Sequence, residues 1–140
     1  MTKLQIKLNK NAIAPIKTHP SDIGWDLTAI SVVKKLGTKT IMYDTGISIC
    51  PPQGYYTEIV ARSSIVKTGY ILTNGIGIID PSYRGTLRIC LTKVDDTKPD
   101  LKVPFRLAQL IVKKSENIDI IKVQELSETE RGDGGFGSTN

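Results

Sequence analysis

Histidine is almost absent from this chain, with one residue, His19, among 140. Cysteine is nearly as scarce: Cys50 and Cys90 stand far apart, neither in a metal or redox motif. Two Cys and one His cannot complete a four-ligand site of nitrogen and sulfur. Catalysis built on His would rest on His19 alone, beside Pro20. The two thiols are expected to stay free in a reducing compartment. Aromatics are only 6% of the residues, and no cluster of Lys and Arg interleaves with them. That argues against a module that stacks single-stranded nucleic acid. No apolar run approaches the roughly 18 residues of a membrane span. Met1 to Lys10 alternates Lys with apolar residues and lacks the apolar stretch of a signal peptide. The expectation is a chain without membrane or nucleic-acid partner and without a targeting signal. It would stay where it is made, in cytoplasm or nucleus, or in a host cell if virus-encoded.

What the chain does have is glycine, proline and alternation. Twelve Gly and seven Pro imply many turns and short elements. A length of 140 residues suggests one domain, large enough to fold without staples. The formal charge of +5 admits anionic ligands. Apolar residues recur with period two: Leu4, Ile6 and Leu8; Ile47 and Ile49; Leu87, Ile89 and Leu91; Ile118 and Ile120. Such alternation gives a strand one buried face. Turn residues interrupt at Pro20-Ser21, Gly37, Gly54, Asn74-Gly75, Pro81-Ser82, Pro99 and Pro104. The pattern predicts an all-β sandwich, jelly roll or barrel. One short helix is expected over Ser63 to Thr68, capped by Ser63 and stopped by Gly69. From Ser127 onward the chain turns polar, then glycine-rich.

Three stretches carry chemistry. Ala61-Arg62-Ser63-Ser64 offers a forked cation, two hydroxyls and the first amides of a helix, which together suit a phosphate. An ordinary capped helix with a surface Arg would look the same. Asn74 to Gly85 places Asp80 where an apolar strand ends, suited to a general base, with a turn at Pro81-Ser82 joining two strands. A turn-initiating Asp before Pro is the plainer alternative. Gly75 and Gly77 leave bare backbone that can approach a flat ligand. In the tail, Arg131 to Thr139, glycine amides can wrap an anion while Arg131 clamps a phosphate and Phe136 stacks on a base. No Gly-Lys-Ser/Thr follows these glycines, so the tail is not a P-loop.

With Ser21-Asp22-Ile23-Gly24-Trp25-Asp26-Leu27 ahead of them and Arg106-Leu107-Ala108-Gln109-Leu110 between, these stretches form five motifs in order. The chain resembles the trimeric, all-β dUTPase family from end to end. It departs from the family pattern at Ala61, where Pro is usual, at Ser64, where Gly is usual, and at Trp25. The related dCTP deaminases share an Arg-Ser-Ser segment and an Ile-Asp-Pro turn. They expect a catalytic Glu on the following strand, where this chain has Arg88, and lack the Phe-bearing tail.

The resemblance implies a distorted jelly roll of the β-clip kind, with residues 1–126 as one domain and 127–140 as a mobile lid. It implies a homotrimer whose sites are shared between subunits. The implied reaction is hydrolysis of dUTP to dUMP and pyrophosphate, limiting uracil in DNA and supplying dUMP for dTMP synthesis. Asp80 would be the general base. Substrate contacts would come from Arg62, Ser63, Ser64, Asn74, Gly77, Ile78, Ile79, Tyr83, Arg88, Gln109, Arg131, Phe136, Gly137, Ser138 and Thr139. Mg2+ would ride on the triphosphate, held by phosphates and waters, with Asp26 as an outer contact.

Overall fold

The computed structural model describes residues 1–138, in ten strands and one 3-10 turn. The strands are β1 (Gln5–Leu8), β2 (Trp25–Ala29), β3 (Ser31–Lys35), β4 (Thr40–Asp44), β5 (Ile47–Cys50), β6 (Tyr55–Ala61), β7 (Tyr70–Leu72), β8 (Gly77–Ile79), β9 (Arg88–Lys93) and β10 (Phe105–Lys114). They make a four-stranded sheet ordered β2-β10-β6-β8, a second ordered β3-β4-β9-β7, and the small pair β1-β5. All recorded pairings are antiparallel. This all-β arrangement of short strands matches the sequence expectation.

Alternation decides which side chains meet between the sheets. Leu27, Ala29, Ile59, Ala108 and Leu110 come from the first sheet, and Tyr43, Ile89 and Leu91 from the second; all are at most 2% exposed. Ile47 and Ile49 bury as their period predicts. The Tyr43 and Phe105 rings meet edge to face with centroids 4.8 Å apart. Thr45 is one of the fully buried polar residues of the core: its hydroxyl donates to the Leu87 carbonyl at 2.7 Å and accepts from the Ile47 amide at 3.2 Å, whereas the equally buried Thr57 hydroxyl has no partner among the described residues. Burying a hydroxyl is tolerable when it is bonded in this way.

Four expectations need correction. The helix is a 3-10 turn, Ser63–Lys67, whose cap is Arg62 in extended backbone with no side-chain cap bond. Ser63 therefore begins the turn rather than capping it. Two β-branched residues, Ile65 and Val66, weaken any longer helix, and Gly69 ends it at φ +77. β1 pairs only with β5 among the described residues, and Ile6 and Leu8 remain 43% and 44% exposed, so its apolar side is only partly covered. Ile118 and Ile120 lie in no strand and are 76% and 97% exposed. Alternation gives a segment the capacity to pair, and among the described residues this segment pairs with none of the free sheet edges. Finally, the turn after Asp80 does not join paired strands: β8 pairs with β6, and β9 pairs with β4 and β7.

Candidate active site

Strand register assembles the first cluster. Asp26 on β2 stands opposite Gln109 on β10, and Ala108 stands opposite Ala61, which leads into Arg62. The Arg62 guanidinium reaches back across this edge. Its Nε lies 2.9 Å from Asp26 Oδ1, and its Nη1 donates to the Arg106 carbonyl at 2.8 Å. The two side chains are 27% and 11% exposed. A half-buried pair of this kind fixes the plane of the guanidinium. The Gln109 amide donates to the Ala61 carbonyl at 3.1 Å. Beneath it lies Gly24, where a Cβ would overlap the Gln109 carboxamide. Ser63 is exposed, whereas Ser64 Oγ is buried with no hydrogen-bond partner among the described residues. One cation, one carboxamide and two hydroxyls thus lie around the end of β6, beside the start of β2 and the middle of β10. That donor set suits phosphate oxygens.

The second cluster lies on a crossover between the sheets. After β7, Gly75 at φ +69 donates to the Leu72 carbonyl at 3.0 Å and turns the chain. β8 follows, then Asp80, whose carbonyl accepts from the Tyr83 amide at 3.0 Å. Arg84 Nη1 closes the turn by donating to the carbonyls of Pro81 at 2.6 Å and Tyr83 at 3.0 Å. Tyr83 Oη donates to the Thr86 carbonyl at 2.8 Å. Ile78, Ile79, Asp80, Tyr83, Thr86 and Arg88 line a cleft of about 220 Å³. The Asp80 carboxylate is exposed and makes no hydrogen bond or ion pair among the described residues. Asn74 and Gly77 do not line this cleft. They sit at the other end of β8, where a Cβ on Gly77 would come within 3.3 Å of Asn74 Nδ2.

The clusters are far apart within one chain. β6 and β8 pair Thr57 with Ile79 and Ile59 with Gly77. Asp80 therefore leaves the sheet at the Tyr56 end of β6, and Arg62 leaves at the opposite end. Tyr56 and Arg62 are six residues apart. That is about 20 Å of extended chain at roughly 3.3 Å per residue. The tail forms a third, separate unit. Arg131 Nε donates to the Gly134 carbonyl at 2.7 Å, the Gly135 amide donates to Ser138 Oγ at 2.8 Å, and Phe136 is fully exposed. Gly137 turns at φ +82. Thr139 lies outside the described residues.

Sequence reasoning did not single out Arg84, Thr86 or Gly85 for the second cluster. A glycine or arginine adjoining a functional side chain was the only available signal, and its meaning depends on where the neighbouring ring lies.

The dUTPase family model matches residues 10–140. A deoxyuridine 5'-triphosphate nucleotidohydrolase of Clostridioides difficile is 41% identical over 136 residues, covering 95% of this chain and 94% of that one. The enzyme of the same name from Arabidopsis thaliana is 36% identical over 133 residues, covering 95% of this chain and 80% of its own. Among solved structures, the dUTPase of Staphylococcus bacteriophage 80alpha with dUPNHPP superimposes with a TM-score of 0.82 at 27% identity, covering 100% of this chain and 99% of that one. This chain belongs to the dUTPase family.

Proposed function

We propose that this chain hydrolyses dUTP to dUMP and pyrophosphate, with Asp80 as general base. The observation that carries this reading is the exposed Asp80 carboxylate on a cleft walled by Ile78, Ile79 and the Tyr83 ring. In the reaction, a water oxygen attacks the α-phosphorus and gives its proton to Asp80. The bond from the α-phosphorus to the bridging oxygen breaks, and pyrophosphate leaves. Arg62, Ser63, Ser64 and Gln109 hold the phosphates in line, so catalysis is mostly orientation and electrostatics. Backbone groups of Gly77, Ile78 and Ile79, together with Asn74, read the uracil edge. A cytosine would leave buried groups unpaired, which discriminates strongly. Tyr83 excludes a ribose 2′-hydroxyl, and Arg88 closes the far wall of the cleft.

Magnesium fits as a companion of the substrate. Among the described residues no three His, Cys, Asp or Glu side chains cluster as a metal cage. Asp26 Oδ1 is committed to Arg62, which leaves the carboxylate an outer contact at most. Bound with the triphosphate, the ion would offset charge on the phosphoryl oxygens.

The site is shared between copies in a homotrimer. Two observations favour this. The Asp80 cleft and the Arg62 cluster lie at opposite ends of β6, too far apart to serve one triphosphate within a chain. The segment after β10 also exposes Ile118, Ile120, Ile121 and Leu126, each more than three-quarters exposed, which a lone chain leaves in water. The tail, residues 127–140, is the lid: Arg131 pairs with phosphate, Phe136 stacks on the base, and Gly137, Ser138 and Thr139 contact the nucleotide. Ordering it costs about 1–2 kcal/mol per residue, which only a bound nucleotide offsets. The free thiols of Cys50 and Cys90 suit a reducing compartment. No helix among the described residues is long and apolar enough to cross a membrane.

The test is pyrophosphate release from dUTP with magnesium, run beside ammonia release from dCTP. Release from dUTP alone is expected. Ammonia from dCTP without pyrophosphate from dUTP would overturn the reading in favour of the deaminase.

A further inference from the structure

We infer that Gly85 is a positioning residue for sugar selection: it lacks a side chain because the Tyr83 ring lies across its Cα. The inference rests on the reading of Tyr83 as the group that excludes a 2′-hydroxyl.

The backbone itself does not ask for glycine here. Gly85 is not among the residues at positive φ, so an L-residue could adopt its conformation. What it could not do is find room. A Cβ built on Gly85 would overlap Tyr83 Oη and approach Cζ at 2.6 Å and Cε1 at 2.9 Å. Two carbons of the planar ring and the hydroxyl oxygen fixed to it are involved, so no single torsion at the tip relieves the contact. The ring must swing as a body.

Its present place is defined at both ends. The Tyr83 amide donates to the Asp80 carbonyl at 3.0 Å, and Oη donates to the Thr86 carbonyl at 2.8 Å. Between these anchors the ring passes over the bare Cα of Gly85 and forms one wall of the cleft that holds Asp80. A methyl group under the ring lifts Oη from Thr86 and tilts that wall. Rigid walls exclude a hydroxyl only where they stand close, and a displaced ring opens the volume a 2′-hydroxyl needs. Gly85 thus acts on the sugar through Tyr83, without touching the nucleotide.

The experiment compares Gly85→Ala, Tyr83→Ala and the double variant with the parent chain. The measurement is kcat/KM for UTP relative to dUTP, with thermal unfolding alongside. In Gly85→Ala the ratio is expected to rise about tenfold or more, toward that of Tyr83→Ala, on the scale that one small group commands in a pocket. In the double variant the ratio should equal that of Tyr83→Ala, because once the ring is gone the added methyl has nothing to displace. A ratio unchanged in Gly85→Ala but raised in Tyr83→Ala overturns the role of Gly85 and leaves the Tyr83 reading intact. A ratio unchanged in both overturns the Tyr83 reading, and this inference with it. If Gly85→Ala fails to fold, the double variant decides: recovery of folding supports the overlap, and failure of both overturns it.

Discussion

The two clusters of the site are held by different means. Asp26, Gln109 and the approach to Arg62 are fixed by register across three paired strands, and an ion pair closes the group. Asp80 and Tyr83 ride instead on a turn that crosses between sheets, pinned by Arg84 and by the Thr86 carbonyl. Sheet register resists local change because a shift of one residue would invert every side chain along the strand. A crossover turn has no such protection, and each of its hydrogen bonds matters singly. The phosphate cluster should thus tolerate single substitutions through its neighbours, whereas the Asp80 turn should respond sharply to them.

The largest effect belongs to the exposed carboxylate. Asp80→Asn keeps the size of the side chain but cannot accept the proton. Turnover of dUTP should fall roughly 10²–10⁴-fold with binding of a non-hydrolysable dUTP analogue nearly unchanged. Near-normal turnover would remove Asp80 from the mechanism.

Mixing tests whether the clusters serve one another from different copies. Asp80→Asn chains carry an intact phosphate cluster, and Arg62→Gln chains an intact cleft. Each alone should be nearly inactive. Co-refolded in equal amounts, random trimers should recover about a quarter of parental activity, since one site in four joins an intact cleft to a neighbour's intact cluster. No recovery in stable mixed trimers would mean that a single chain supplies both.

The strands and the motifs behind this contrast are legible in the sequence, through period and order, but the crossing of the Asp80 turn between sheets is not. Leu87, Ile89 and Leu91 alternate and bury, and the pairs formed by β9 follow. The residues of the Asp80 cleft are neighbours in sequence and in space, whereas Asn74 and Gly77, close to them in sequence, sit at the other end of β8. The distance between the clusters was not legible, because it depends on the register of β6 against β8, which neither sequence pattern specifies. Ile6 and Leu8 were misread for a related reason: alternation announces an apolar face without saying which molecule covers it. Arg84 and Gly85 were silent because each works through backbone or ring geometry.

A smaller effect is expected where register protects the site. Gly24→Ala places a methyl against the Gln109 carboxamide, the flexible end of a side chain that can move aside. KM for dUTP should rise several-fold, within the range of one lost hydrogen bond, with kcat reduced less. In a Gln109→Ala background the same substitution should add nothing. An additive loss would show that Gly24 acts by some route other than Gln109.

The smallest effect concerns the strand that joins the two clusters. Glu58 lies on β6 between the Tyr56 end and the Arg62 end, with Lys113 of β10 at 3.0 Å from Oε2 and Tyr56 donating to Oε1 at 2.9 Å. Lys113 first, and Tyr56 second, hold the Glu58 carboxyl below its ordinary value of 4.5. The folded state therefore binds this proton less readily than the unfolded one. The resulting stability is complete above the ordinary glutamate range and is lost as pH falls through the depressed folded value. Lys113 is half exposed, so water and salt screen the pair and the contribution is modest. In Glu58→Gln the midpoint of thermal unfolding should drop slightly at neutral pH, and the gap from the parent should close as the buffer is taken well below pH 4.5. Raising the salt concentration should narrow the same gap at neutral pH. A gap that stays constant down to strongly acid buffer would mean that Glu58 supports β6 by packing alone, and that charge has no part in holding the two ends of the strand.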